Sequence, residues 1–447
     1  MRFHERRAIW ALSLLALAYA VVHFATAGIV FPLQTPNLSK FEEEVPPLLE
    51  HLRTGDDIRA NPVQWGPVFF MVMQPLVRAS GGLNQTLAHW LYGVQIACLV
   101  LAFCLTCVTL KRFVPSPMRD RWPLLVIVLI TVWLSFSPLL MVLAVKTVET
   151  WELMLLALAL YAHLRGWRWV VAFALAAAGL IKVLPFVFFY YLLITDRRTF
   201  AYSCAALVVF LFAGHFMFGP QMGLEYLPRL ARASIGNSYL IDWHENLSLK
   251  AALVKLFGHV DNPRLMSAGT YYGQAGYFVV LSETRRAIAV RIGDVVALIG
   301  FAWLTRSWIA RSRKRTAERV VWEWSLLLAA MLILSPHTAF EYITLALWAV
   351  SYAIVRLGTA NWSLHPGRGI PLTLGMSFFL LGVFLPRSVQ NKLALVDVIN
   401  RWTGYTHFTS SEAYQYYCFP LAGLILLAIA IWRFGPGNGL PTEARSS

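Results

Sequence analysis

Apolar residues run along this chain in long blocks separated by short polar stretches. That is the pattern of membrane-crossing helices, each of which needs about 20 mostly apolar residues. The first blocks are Ile9–Val30, Leu87–Leu110 and Pro123–Val145, followed by the shorter Trp151–Leu164, Trp169–Ile181 and Leu184–Ile194. Tyr202–Phe218, Ala287–Leu304, Val321–Leu334, Phe340–Val355, Ile370–Leu385 and Tyr417–Phe434 complete the set. The predicted fold is all-α, a polytopic integral membrane protein of about 12 transmembrane helices. Pro67–Leu76 is apolar but short and flanked by Pro67 and Pro75, so it is expected to dip into the membrane without crossing. From Lys40 to Arg53 the spacing of Phe41, Val45, Leu48, Leu49 and Leu52 predicts an amphipathic helix lying on the membrane, with Pro46 and Pro47 suited to its first turn.

Composition agrees with the pattern. Of 447 residues, 58% are hydrophobic and 14% charged, whereas a soluble chain is about one quarter charged. This excludes a soluble globular enzyme and a disordered chain. The net charge of +15 changes the picture only through its placement. With Pro67–Leu76 kept out of the count of crossings, nearly all the excess lies in short loops on one face, as the positive-inside rule requires of the cytoplasmic side. The basic balance therefore reflects topology and implies no nucleic-acid partner. Both termini are expected in the cytoplasm, and the long polar segments, about 31–86, 219–286 and 386–416, outside. Residues 1–434 form a single transmembrane domain, and 435–447, rich in Gly and Pro, a disordered cytoplasmic tail.

Cys98, Cys104, Cys107, Cys204 and Cys418 all lie in or beside apolar stretches, where a thiol acts as a small hydrophobe. Neither a disulfide framework nor a metal site is implied. The halves of the chain show no inverted repeat, and there is no arginine ladder or pore-filter motif.

Chemistry is expected where polar residues meet the external membrane edge. The first external loop carries Glu42, Glu43 and Glu44, then Glu50, Asp56 and Asp57, and ends in Gln64-Trp65-Gly66-Pro67. These acids either cap a solvated helix or hold a carboxylate where it accepts a proton from a hydroxyl. Lys182 closes an apolar run just before Pro185. It either snorkels to the interface or offers a point charge to a lipid phosphate. Lys146, Glu149 and Glu152 cluster at the same level, paired with one another or lining the same cavity. Asp242 to Leu249, containing Asn246, opens an amphipathic stretch. Ser335-Pro336-His337-Thr338 breaks the chain between two spans, with Glu341 and Tyr342 a turn later.

In this order the elements resemble the GT-C superfamily, and within it glycosyltransferase family 87, mannosyltransferases that use polyprenyl-phosphate-linked sugar. The family's acid after the first span, aliphatic helix ending in Gly and aromatic-Pro turn resemble Glu42 to Glu44, Leu48-Leu49, Gly55 and Trp65-Gly66-Pro67. Its apolar run ending in Lys before Pro is similar to Leu180 to Pro185, its Asn-x-Ser-Leu element to Asn246-Leu247-Ser248-Leu249, and its Ser-Pro element to Ser335 to Thr338 with Glu341-Tyr342. The chain departs from the family in two places. A run of Glu replaces the first-loop Asp, and residues 146–152 stand where a Gly-Gln-x-Asn element is usual.

The resemblance implies an inverting, metal-independent hexosyltransferase without cofactors, working at the external face of the cell membrane. Its partners would be a polyprenyl-phosphate sugar donor (mannose or a pentose), a lipid or cell-envelope glycan acceptor, and membrane lipids. Glu42, Glu43 or Glu44 would be the catalytic base. Lys182, Asn246, His337, Glu341, Tyr342, Lys146, Glu149 and Glu152 would bind substrate. The competing readings are a transporter or flippase of lipid-linked glycans and a non-catalytic envelope-assembly protein.

Overall fold

The computed structural model describes residues 3–34, 38, 45–58, 65–230, 246–260, 264–265, 275–276, 279–280, 282–309, 315–335, 337–359, 369–382 and 418–435. The apolar runs become helices. α1 (Phe3–His23) passes through a π-helical segment, Phe24–Val30, into α2 (Phe31–Gln34). Next come α3 (Pro46–Thr54), α4 (Pro67–Ser80), α5 (Gln85–Lys111), α6 (Trp122–Leu134), α7 (Ser137–Val145), α8 (Glu149–Arg165) and α9 (Arg168–Ile181). A 3-10 turn at Leu184–Phe186 leads into α10 (Val187–Thr195), and α11 is Arg197–Phe218. α12 (Leu249–Phe257), α13 (Glu283–Ile309) and α14 (Ala317–Leu334) follow. A second 3-10 segment, Phe340–Ala346, runs into α15 (Leu347–Thr359), and α16 (Gly369–Leu380) and α17 (Phe419–Arg433) complete the described helices. The strands among the described residues are two-residue pieces, His259–Val260 against Val279–Val280 and Arg264–Leu265 against Ala275–Gly276, both antiparallel.

Local chemistry sets the ends. Asn84, Asp196, Ser248 and Thr316 each accept a backbone N–H of the helix they precede, satisfying one of its orphan donors. Gly55 and Gly166 end α3 and α8 in the left-handed conformation. The expected surface helix of the first loop is observed as α3, with Pro46 and Pro47 in its opening turn; residues 39–44 lie outside the described set. α4 is only 14 residues long and has six of them buried.

Among the described residues, five segments are long and apolar enough to cross a membrane: Arg7–Gln34, Gln85–Lys111, Arg197–Phe218, Glu283–Ile309 and Phe340–Thr359. The remaining predicted spans are helices that fall short of that criterion. The predicted Pro123–Val145 block is two helices, because Phe136 is extended (φ −82°, ψ 106°) and Pro138 restarts the chain as α7. Burial separates the long segments. The apolar window of Phe340–Thr359 is 89% buried, against 11% for that of Arg7–Gln34, so the first is the bundle's axis and the second part of its rim. α5, α8, α9 and α11 pack in succession beside that axis. α13 is largely apolar and exposed, and its Asp294 is met by Lys250 of α12. A Cβ on Gly293 would come within 2.7 Å of the Lys250 side chain, so glycine permits that approach.

The buried apolar side chains form two clusters. The larger surrounds α14 and α15. The smaller gathers α3, α4, the start of α5 and the last turn of α9. They meet where α9 ends. There the Gly66 N–H donates to the carbonyl of Ile181 (3.3 Å), and a Cβ on Gly66 would collide with the Leu180 carbonyl and lie 2.8 Å from the Tyr226 hydroxyl. Gly66→Ala is therefore expected to destabilise the protein by about 1–3 kcal/mol, the usual range for overpacking. Gly93→Ala, whose Cβ meets nothing within 4 Å, should be neutral or gain up to about 1 kcal/mol of helix propensity. Thermal unfolding in detergent compares the two, and equal effects would remove Gly66 as the closure point.

Candidate functional site

The site grows from two helix ends that face each other. α7 stops at Val145, and Lys146 takes the left-handed conformation (φ 58°, ψ 33°) that only Cys418 shares among described non-glycine residues. Its buried ammonium donates to the carbonyls of Pro32 and Ala144, each at 3.3 Å. The Gln95 amide of α5 fixes the loop from the other side, donating to the Val142 and Thr147 carbonyls at 3.3 and 2.5 Å. α8 then begins with Glu149, and its first turn also holds Glu152. Carboxylates are favoured at this position because the free N–H groups of a helix start carry partial positive charge.

α9 supplies the counter-charge. Lys182 leaves the helix in an extended conformation (φ −140°, ψ 148°), and its ammonium forms an ion pair with Glu149. The same ammonium lies 4.8 Å from the Trp65 ring centre and 3.9 Å from that of Tyr342. One of these rings comes from the first loop and the other from the 3-10 segment after the Ser335 break. Glu149 and Glu152 are fully buried, and Lys182 and Glu341 nearly so. Glu152 and Glu341 lie within electrostatic reach of Lys182, so one ammonium faces three carboxylates. Neither oxygen of Glu152, nor Oε2 of Glu149, has a hydrogen-bond partner among the described residues.

The break between α14 and α15 joins the same network. The Ser335 hydroxyl donates to the His337 carbonyl (2.6 Å), and the Thr338 hydroxyl to the Leu332 carbonyl (2.7 Å). Asn246 docks on this break: its Oδ1 accepts the N–H of Ser248 (3.0 Å) and of Thr338 (3.2 Å). The Leu247 N–H donates to the Thr338 carbonyl (2.7 Å), and Lys255 clamps the Asn246 carbonyl at 2.7 Å. The His337 ring then meets Tyr342 edge-on, 5.6 Å between centres.

Six sequence-predicted residues are thus brought into one network: Lys182, Glu149, Asn246 through Thr338, His337, Glu341 and Tyr342. Glu152 is one helical turn beyond Glu149. Lys146 adjoins through the Gln95–Thr147 contact. Glu42, Glu43 and Glu44 lie outside the described residues. Among the other first-loop acids, Glu50 accepts two hydrogen bonds from Arg53, at 3.1 and 2.6 Å, which hold its carboxyl below the usual range. Asp57 packs on Gly219 at the end of α11. Sequence reasoning left Gln95, Thr147, Thr150, Trp151 and Lys255 out of the site. An amide in the interior of the apolar α5 was the one signal available for Gln95. Among the described residues no group of three or more His, Cys, Asp or Glu side chains is arranged to hold a metal.

The family model of glycosyltransferase family 87 matches residues 65–336, more than half of the chain. The matched stretch contains Trp65, Lys146, Glu149, Glu152, Lys182 and Asn246; it starts after Glu44 and stops one residue before His337. No curated protein matches the chain.

Removing one partner of a buried ion pair costs about 3–5 kcal/mol, because the other charge is left unpaired. Lys182→Met is therefore expected to lower thermal stability by that order. Lys182→Met combined with Glu149→Gln should recover much of it, since no charge is then stranded at position 149. A double variant no more stable than Lys182→Met, measured by unfolding in detergent, would show that the pair does not hold these segments together.

Proposed function

The chain belongs to glycosyltransferase family 87, a family of membrane glycosyltransferases, and from this we propose that it moves a sugar from a polyprenyl-phosphate donor to an acceptor hydroxyl at the external membrane face. The observation that carries the reading is the buried junction of Lys182, Glu149, Glu152, Trp65 and Tyr342. It gathers the start of the matched stretch, α8, the end of α9 and the segment just past the end of the match around buried ionisable groups, which in a membrane bundle commonly mark a functional site. About twelve crossings, cytoplasmic termini and the single domain 1–434 belong to the same reading, supported by the distribution of positive charge.

In this reading a first-loop carboxylate, Glu42 with Glu43 or Glu44 as neighbours in register, takes the proton of the acceptor hydroxyl. The oxygen attacks the anomeric carbon from the face opposite the phosphate. The carbon–oxygen bond to the phosphate breaks, the phosphate leaves with the electron pair, and the configuration inverts. A lipid phosphate is a good leaving group, so no metal is required of the mechanism. The growing phosphate charge needs a cation. Lys146 suits that role better than Lys182: its ammonium has no carboxylate partner among the described residues, whereas Lys182 is neutralised by Glu149. Lys182 is then a positioning residue that holds Trp65 and Tyr342 in place. The sugar is mannose or a pentose, and the acceptor a lipid or cell-envelope glycan.

Membranes containing the protein, incubated with lipid extract and a series of radiolabelled polyprenyl-phosphate sugars, should convert at least one into a glycosylated product. Conversion of none would overturn the reading. With the productive donor, Glu42→Gln should lower turnover by about 10²–10⁴-fold without weakening donor binding, the usual contribution of a general base. Glu50→Gln, already held by Arg53, should stay near wild type. Normal turnover in the single Gln variants at 42, 43 and 44 and in their triple combination would move the base to Glu341.

A further inference from the structure

We propose that residues 147–152, the loop before α8 and its first turn, form the subsite for the sugar ring of the donor and select neutral, hydroxyl-rich sugars over acidic ones. The proposal rests on the reading of the chain as a polyprenyl-phosphate-sugar-dependent transferase, and it assigns the part of the donor that this turn receives.

The ground is a concentration of unsatisfied polar atoms. Thr147 Oγ1, Glu149 Oε2, Thr150 Oγ1, Trp151 Nε1 and both oxygens of Glu152 are buried without a hydrogen-bond partner among the described residues. Gln95 Oε1 is in the same condition, although the amide nitrogen of that side chain is bonded to this very loop. Buried polar groups are ordinarily paired, and a fully buried carboxylate with two bare oxygens is among the least favourable arrangements in a protein. Elsewhere among the described residues the atoms without a partner are scattered one to a residue, as at Thr109, Thr195, Tyr226, Thr344 and Tyr352, and comparable groups are paired. Thr106, Thr131 and Thr359 return their hydroxyls to the carbonyl four residues back. Glu323, as fully buried as Glu152, has one oxygen bonded to the Tyr191 hydroxyl at 2.9 Å and the other to Arg319 at 2.9 Å. Six such atoms fall within residues 147–152, inside the family-matched stretch, and Glu152 is the one buried carboxyl group among the described residues with both oxygens bare.

Their chemistry specifies the ligand. The carboxylate oxygens and Gln95 Oε1 only accept, the threonine hydroxyls do either, and Trp151 only donates. A set rich in acceptors calls for a ligand that presents several O–H groups, and a sugar ring does. Glu149 and Glu152, packed beside the ammonium of Lys182, disfavour a carboxylate-bearing sugar in this turn. Position agrees: the anomeric carbon is one oxygen away from phosphorus, so the ring must adjoin the phosphate. Residues 147–152 directly follow Lys146, the cation assigned to it.

The test uses the full chain in lipid nanodiscs and equilibrium binding of four probes: polyprenyl phosphate and its mannosyl, arabinosyl and glucuronosyl esters. At least one neutral ester should bind more tightly than the bare lipid phosphate, and the glucuronosyl ester should not. Glu152→Gln should remove about 10- to 100-fold of that gain, the worth of a hydrogen bond to a charged group, and leave bare phosphate binding unchanged. Trp151→Phe, which keeps the packing and deletes one donor, should remove a smaller part, and it carries the test if Glu152→Gln does not fold. A gain that survives both variants, a glucuronosyl ester bound as well as the neutral ones, or no gain for either neutral ester overturns the subsite. Failure of the bare lipid phosphate to bind overturns the donor reading and the subsite together. Binding that behaves as expected without transfer to any acceptor overturns the transferase reading alone.

Discussion

One ammonium against three carboxylates in a water-poor interior is the constraint on which this structure turns. Desolvating an ion pair costs several kcal/mol per charge even after relaxation, so the fold has to return that energy through geometry. It does so with three devices. Glu149 and Glu152 sit on the first turn of α8, where the helix start favours negative charge. Lys182 lies between the faces of Trp65 and Tyr342, an arrangement worth about 2 kcal/mol when desolvated. Its extended backbone at the end of α9 aims the ammonium across to α8. Each device ties down a different segment, so satisfying the charge also fixes the turn at Gly66, the end of α9 and the 3-10 segment at Phe340. The two apolar clusters meet there because the charge does.

A second buried charge group stands near the other end of α14. Glu323 is about 18 Å along the helix from Ser335 at 1.5 Å per residue. It is bonded to Tyr191 and Arg319 and paired with Arg315, while Arg319 also reaches the Ser307 carbonyl. Both oxygens of Glu323 are hydrogen-bonded, and the network pins α10, the end of α13 and α14. The group at α8 has the same depth of burial and is left open. Two carboxylates in one protein, equally removed from water, are differently satisfied: both oxygens of Glu323 are met, and neither oxygen of Glu152 is, among the described residues.

Much of this was legible in the sequence, and the remainder was hidden for physical reasons. Apolar run lengths marked almost every helix, and Pro46, Pro47 and Gly55 marked the ends of α3 because proline and glycine act through local backbone geometry. Lys182, Glu149 and Glu152 stood out because charges in apolar runs are costly wherever the chain folds. Which charge met which was not legible. The partner of Asp294 is Lys250, more than forty residues away, and no periodicity relates them. Trp65 read as part of a turn, and its place beside Lys182 depends on the Gly66–Ile181 contact. Thr147, Thr150 and Trp151 look like ordinary helix residues; only the absence of a partner for each, a property of three dimensions, sets them apart. The break at Ser135–Phe136 was hidden because Pro138 at a helix start and Pro138 inside a helix read alike.

Lys146 shows how closely backbone and side chain are bound together here. A left-handed backbone at a residue other than glycine costs about 1–3 kcal/mol and persists only where the surroundings over-determine it. Glycine would relieve the strain and still allow α7 to end, so the conformation alone does not call for lysine. The lysine is accounted for by its ammonium, turned back onto the Ala144 and Pro32 carbonyls. That links the last turn of α7 to the segment where the N-terminal helix gives way to the first loop. On the proposed reading, strain of this kind, at a buried cation one residue before a run of acceptors without partners among the described residues, serves the same end as the acceptors themselves: an anionic group and a hydroxyl-bearing group, joined to each other, are met side by side.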